Sequence, residues 1–262
     1  WFENRLNKAR SEIEMQFKDF RLSESLKTLY SLIWDDFCSW YLEWVKPGFE
    51  QPVDPNIYRK TVVFFDQLIQ LLHPFMPFIT EEIYHLLQER DPKDDLCIRQ
   101  FETPKPFSNK ILEKGALLKE VITAIRDFRI KNGLKSKESI EIGIESENGQ
   151  IYIGEFQGIL QKQLGIGRMQ ATDHKTTDAT TIIVGKDKFH IVSPKTGFGS
   201  NSLKNEMLRE LEYLKGFLQS IDKKLNNNRF MENAKREVIE LERKKQADAE
   251  AKIKIIEESL RT

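Results

Sequence analysis

The feature that most restricts this chain is a narrow apolar stripe in its last stretch, residues 203–262. Met207, Leu211, Leu214, Leu218, Ile221 and Leu225 alternate spacings of four and three, which holds them on one seam of a helix that winds around a partner. Asn226, Asn227 and Asn228 interrupt the stripe. It resumes at Ala234, Val238 and Leu241, then at Ala249, Ile253, Ile256 and Leu260 after an extra residue that shifts the repeat. Two seams of similar length around a short polar loop predict an antiparallel coiled-coil hairpin. One narrow stripe cannot cover a globular core, so the hairpin is expected to protrude as an arm roughly 35 Å long.

The rest of the chain divides in two. Residues 1–106 read as a helical bundle. Leu22, Leu26, Leu29, Ile33, Phe37, Trp40 and Trp44 recur at helical spacing, with Ser23 as N-cap and Pro47-Gly48 as stop. A second long helix starts near Pro55 and ends at His73. Pro74 and Pro77 break it, and Thr80 is expected to cap a helix beginning Glu81-Glu82. With a helix at residues 1–18 this makes four, and Pro92, Pro104 and Pro106 mark an exit linker. Residues 107–202 read as a small α/β unit. A helix over 109–131 ends at Asn132-Gly133. Period-two runs at Ile140, Ile142 and Ile144, at Ile151 and Ile153, at Ile182 to Val184, and at Phe189, Ile191 and Val192 predict strands around a short helix, Glu155 to Leu164. Pro194 to Ser202 reads as a linker. The fold class is mainly α: a bundle, a small α/β unit and a coiled-coil hairpin.

Composition excludes several classes. The longest purely apolar runs are four residues, such as Val62 to Phe65, so no membrane span is expected. The chain opens on Trp1 with charges by residue 3, so this stretch is not expected to be a secretory leader, and the chain is expected to be a piece of something longer. Cys38 and Cys97 form no CxxC pair, and His73, His85, His174 and His190 are scattered. Reduced cysteines and no metal site are therefore expected. The 41 basic and 41 acidic side chains cancel, but residues 1–106 carry a net −5 and the remainder a net +5. No segment is a basic tail, so any contact with nucleic acid must come from local patches. Neither a phosphate-binding glycine loop nor a nucleophile motif is present. Leu134-Lys135-Ser136-Lys137-Glu138-Ser139 echoes a nucleotide-binding KMSKS loop but reads as a basic turn between a helix and the Ile140 strand. Trp34, Phe37, Trp40, Tyr41 and Trp44 read by periodicity as core.

Three motifs carry a family resemblance. Asp35-Asp36-Phe37-Cys38-Ser39-Trp40-Tyr41-Leu42-Glu43 with Lys46-Pro47 resembles the anticodon-binding bundle of class I aminoacyl-tRNA synthetases for branched aliphatic amino acids. His73-Pro74-Phe75-Met76-Pro77-Phe78-Ile79-Thr80-Glu81-Glu82-Ile83-Tyr84 is similar to the helix junction of that bundle. Lys223-Lys224-Leu225, Asn228, Phe230, Asn233-Ala234, Val238-Ile239 and Glu242-Arg243 resemble the terminal coiled coil of the valyl-tRNA synthetase family. One departure is Lys235, where that family commonly has proline.

The resemblance implies a tRNA partner specific for valine, and Leu42 and Glu43 against the anticodon bases. The carboxylate would accept from exocyclic amino groups of splayed bases and the apolar side chain would pack on a base face. An aromatic residue completing that pocket in the family would lie upstream of Trp1. The arm would lean on the outer corner of the tRNA, with Lys223, Lys224, Arg229, Arg243, Lys244 and Lys245 as candidate contacts. Lys245 falls on the seam register. Arg126, Arg129 and Lys131 end the first helix of the α/β unit, either against phosphates or as a solvated helix face. Catalytic and editing domains, with ATP and Mg, would belong to other parts of a cytoplasmic enzyme; no cofactor, DNA or membrane partner is implied for this stretch. Two alternatives stay open: the same region of another aliphatic-type synthetase, and a structural protein whose hairpin grips a protein partner.

Overall fold

The computed structural model describes the chain except residues 49, 136, 137, 148, 174–178, 194–199, 228, 229, 231–233, 235 and 262, and the side chains of 200–207, 258, 259 and 261. The expectations resting on His174, the 194–199 linker, Asn228, Arg229, Asn233 and Lys235 lie outside the described residues. The chain divides into two compact units, residues 1–117 and 118–262. It is mostly helical, with one small mixed sheet.

In the first unit, α1 spans Phe2–Lys18 and α2 spans Leu22–Ser31. The helix continues without a break through a π segment, Leu32–Tyr41, into one last α turn, α3, Leu42–Val45. Arg21 rather than Ser23 is the N-cap of α2, and no side chain caps it. A π turn closes on the fifth residue back, as Ser39 also does in donating to the Trp34 carbonyl at 2.8 Å. Each turn then absorbs an extra residue, so the apolar face slips from the one that 3–4 spacing predicts. Leu29, Leu32, Phe37 and Tyr41 are buried, whereas Leu22, Leu26 and Trp34 are exposed. Trp34 is thus not core, and Trp40 and Trp44 are only half-buried.

The slip lets Phe2 sit among Phe37, Tyr41 and Phe64, with ring centroids 5.0 to 5.2 Å apart. Around these rings pack Leu6, Ala9, Ile13, Leu68 and Leu71, making one core. It also turns Asp36 inward, where Arg5 Nε donates to its carboxylate at 2.7 Å. Asp54 caps α4, Pro55–Leu72, accepting from the Asn56 and Ile57 amides. Pro55 occupies the first turn, where its missing N–H costs nothing.

The helix α5 spans Pro77–Leu87 and so starts earlier than the Thr80 cap predicts. Thr80 lies inside its first turn, fully buried, and donates to the Met76 carbonyl at 2.8 Å while sharing a 2.8 Å hydrogen bond with His73 Nδ1. Pro77 starts the helix in its place. The exit segment is pinned along the bundle: Asn7 and Asn4 accept from the Lys105 and Ser108 amides, and Gln70 donates to the Gln100 carbonyl.

The helix α6, Asn109–Lys131, runs from the first unit into the second and ends at Gly133 with φ +59°, a left-handed conformation that glycine adopts without strain. The sheet of the second unit has the order β2-β1-β4-β3, from β1 Ile140–Glu145, β2 Ile166–Ala171, β3 Thr180–Val184 and β4 Asp187–Val192. β1 pairs parallel with β2 and antiparallel with β4, placing Ile142 opposite Ile191 and Ile144 opposite Phe189.

One expected strand is absent here, and one strand is present that periodicity does not predict. Ile151 and Ile153 belong to a π turn, Ile151–Glu155, leading into α7, Gln157–Leu164. Its buried residue is Tyr152, whose hydroxyl donates to Asp187; burial first, and that carboxylate second, push the phenol far above its ordinary range. The strand β2 escaped periodicity because it is an edge strand with an irregular register, and only Ile166 and Met169 are buried along it.

Finally, α8 spans Ser200–Leu225 and α9 spans Arg236–Arg261. They pack on each other, and α9 also touches β3, so the pair is not detached from the sheet along its whole length.

Candidate nucleic-acid interface

The end of the bundle helix gathers the residues of the predicted anticodon contact. Pro47 cannot continue the helix, so α3 ends at Val45 and exposes the last turn. Leu42 is half-buried and packs against the bundle core. Glu43, one position on, turns outward: its side chain is 47% exposed, with Lys46 Nζ 3.5 Å from its carboxylate. Of the pair, Glu43 offers the acceptor and Leu42 anchors the turn that holds it. Trp44 stacks obliquely on Trp40 at 5.8 Å and on Trp1 at 4.8 Å. Its Nε1–H is buried without a hydrogen-bond partner among the described residues. A buried orphan donor costs about 1–3 kcal/mol.

Trp1 in turn lies directly over Gly115. A Cβ there would stand 2.0 Å from the indole Cδ1, so only glycine admits this packing. Trp34, which periodicity assigns to the core, and Tyr30 face outward on the same continuous helix. Tyr30 and Trp34 are 63% and 59% exposed and lie nearly parallel, 15° apart at 6.4 Å. Open ring faces of this kind stack with unpaired bases. The π segment hides this signal, because it decides which aromatic residues leave the core.

In the second unit, the three cations ending α6 separate into different roles. Arg129 is buried, and its guanidinium donates to the carbonyls of Leu164 at 3.0 Å, of Glu138 at 2.8 Å, and of Lys135. It ties the helix end to α7 and to Lys135 and Glu138. Arg126 and Lys131 are exposed, with Arg126 Nη2 donating to Gln163 at 2.7 Å. Of the KMSKS-like string, Lys135 and Glu138 meet Arg129 in this way, and Ser136 and Lys137 lie outside the described residues.

On the helix pair, Leu214 and Ile221 of α8 are buried as the first seam predicts. The second seam is displaced near the loop. Val238 and Leu241 are exposed and Glu242 faces inward instead, whereas Ala249 and Ile256 are buried as the second seam predicts. Cross-pairs run in reverse chain order: Lys224 with Glu242, Asp222 with Gln246, and Lys215 with Glu257.

Glu242 is thus the hub. Lys245 Nζ stands 2.7 Å from its carboxylate and Lys224 Nζ 3.6 Å, and the hydrogen bond from Lys245 leads in holding its carboxyl below the ordinary range. Lys224 therefore reaches across the helix pair and Lys245 holds the same carboxylate from within α9, while Lys223, Arg243 and Lys244 point to solvent. Arg229 lies outside the described residues.

Comparison with known proteins fits this division. Residues 1–144 match the family described as the anticodon-binding domain of tRNA ligase, and residues 201–262 match the valyl tRNA synthetase tRNA binding arm. Among curated relatives, the valine–tRNA ligase of Parabacteroides distasonis is 37% identical over 99% of this chain and 29% of its own length. That of Phocaeicola vulgatus is 38% identical with the same coverage, and that of Synechocystis is 30% identical over 91% of this chain. The chain thus spans under a third of the length of these relatives. It belongs to the family of anticodon-binding domains of tRNA ligases, and carries behind that domain a tRNA-binding arm of the valyl-tRNA synthetase kind.

Proposed function

We propose that this chain is the tRNA-holding part of a valine–tRNA ligase. The observation that carries the reading is the order of two modules in one chain, an anticodon-binding domain at 1–144 and a synthetase arm at 201–262. The bundle, residues 1–106, receives the anticodon at the end of the long helix. Glu43 accepts from an exocyclic amino group there and Leu42 supports a base face. The orphan Trp44 donor at the same turn supports this reading, since a bound acceptor would relieve it.

Residues 107–202 form the connecting unit, in which the exposed Arg126 and Lys131 are the proposed phosphate contacts. Residues 203–262 form an antiparallel coiled-coil hairpin that leans on the outer corner of the tRNA, a reading supported by the reversed order of the cross-pairs. Lys223, Arg243 and Lys244 contact phosphates there, and Lys224 bridges the two helices through Glu242, whose carboxylate Lys245 steadies from its own helix. The adenylation step, with its ATP and Mg, and editing belong to other domains of the same cytoplasmic protein, so this chain alone forms no aminoacyl-tRNA. No helix among the described residues is long and apolar enough to cross a membrane.

The test is binding of a valine-accepting tRNA across a salt series. Log affinity should fall against log salt with a slope of roughly −0.7 to −0.9 per neutralised phosphate. Removing residues 203–262 should flatten that slope. No binding at low salt, alongside tight capture of a protein partner, would favour a structural hairpin instead.

A further inference from the structure

We propose that Glu81, His85 and Asp95 form a binding site for a divalent transition-metal ion of the zinc class, which clips α5 to the turn that follows it. Glu81 and His85 are four residues apart on α5, hence on one face. The chain then returns, and a short 3-10 turn at Leu96–Ile98 brings Asp95 against them. One ligand atom from each of the three lies within 4.8 Å of the others. His85 Nε2 is 3.4 Å from a Glu81 carboxylate oxygen and 3.2 Å from one of Asp95.

Those two separations match the requirement. A tetrahedral ion with bonds of about 2.0–2.1 Å keeps its ligand atoms about 3.3–3.4 Å apart. Two edges of such a tetrahedral face are thus already set from His85, and the third, between the Glu81 and Asp95 oxygens, lies within 4.8 Å. Glu81 is also held in place. Its two oxygens accept from the Leu96 amide at 2.6 Å and the Cys97 amide at 3.0 Å, the kind of outer support that orients a ligating carboxylate.

One imidazole with two carboxylates suits zinc-like ions better than magnesium, which keeps most of its water. The fourth position faces solvent, since the His85 and Asp95 side chains are 41% and 47% exposed. The net −5 of residues 1–106 draws cations to this unit. The competing account is an imidazolium bridging two carboxylates, and the two differ in their response to a metal.

The deciding experiment titrates the 262-residue chain with ZnCl2 at neutral pH by calorimetry, beside His85→Gln and Asp95→Asn. These two side chains are partly exposed and Glu81 is left intact, so the fold is preserved; equal melting in EDTA checks this. One equivalent should bind the wild type. Each variant should lose at least about tenfold in affinity, as losing a ligand costs no less than losing an outer-shell partner. Binding should weaken in acid, where protons compete for the imidazole. The Co2+-loaded wild type should show the visible bands of a tetrahedral ion, absent from both variants, and MgCl2 should give no comparable heat. Absence of zinc binding to the wild type overturns the proposal. So does zinc affinity unchanged in both variants, or lost only when Cys97 is replaced by serine.

Discussion

Replacing Arg129 by methionine should destabilise the second unit rather than merely weaken its hold on RNA. The buried guanidinium serves three carbonyls, those of Leu164, Lys135 and Glu138. Each hydrogen bond from a charged donor contributes about 1.5–3 kcal/mol. The contributions do not add, and the cost of burying the cation is recovered when it leaves. Breaking such a buried charged network still costs about 3–5 kcal/mol in comparable cases. Against a typical domain stability of about 5–15 kcal/mol this is a large share.

Spread over a unit of this size, it lowers the melting temperature by about 10 °C or more. The assay is denaturant and thermal unfolding followed by circular dichroism, with amide spectra reporting which unit opens first. Arg126→Ala should leave melting unchanged and reduce the salt slope of tRNA binding by about 0.7–0.9. The reasoning fails if Arg129→Met melts like the wild type and shows the salt signature expected of Arg126→Ala. Arg129 would then be a phosphate contact and its carbonyl bonds incidental.

Three further outcomes are expected. Glu43→Ala should reduce discrimination between valine and other anticodons in the intact enzyme while leaving the bundle's stability unchanged, because the side chain lies half in solvent; equally selective charging would refute its role. Gly115→Ala should destabilise the first unit by about 1–3 kcal/mol, since the new methyl group displaces the Trp1 indole from Trp44, and unchanged unfolding and tryptophan emission would show that the indole moves freely. Burial raises the Glu145 carboxyl, but hydrogen bonds from Lys188 and His190 outweigh it and hold the group below its ordinary value. That stability is present above the unfolded value of about 4.3 and is lost as pH falls through the lower folded value. Glu145→Gln should flatten the acid limb of the second unit's stability curve, and an unaltered limb would refute it.

Much of the fold was legible because it rests on local chemistry. The 109–131 helix, its glycine stop, the Pro55 start and the Ile140–Ile144 strand follow from capping and periodicity, which involve neighbours a few residues away. In the first seam, Leu214 and Ile221 are buried where the heptad places them for the same reason. Misreadings occurred where periodicity assumed one helix type or one sheet environment. The π segment moved Trp34 outward, the Ile151–Ile153 run folded as a turn, and β2 hid at an edge.

The candidate site was legible in kind and not in detail. Residue types and motif order pointed to a bundle, a connecting unit and an arm, and the synthetase resemblance pointed to Leu42, Glu43 and the arm's cations. Only the packed structure sorted these residues. It assigned Arg129 to three carbonyls and Lys224 and Lys245 to Glu242, and left Glu43, Arg126, Lys223, Arg243 and Lys244 reaching outward. It also joined Asp95 to Glu81 and His85 across a turn that no spacing rule anticipates. The physical reason is that periodicity encodes which face of an element is apolar, whereas the fate of a charged side chain depends on what arrives opposite it from elsewhere in the chain.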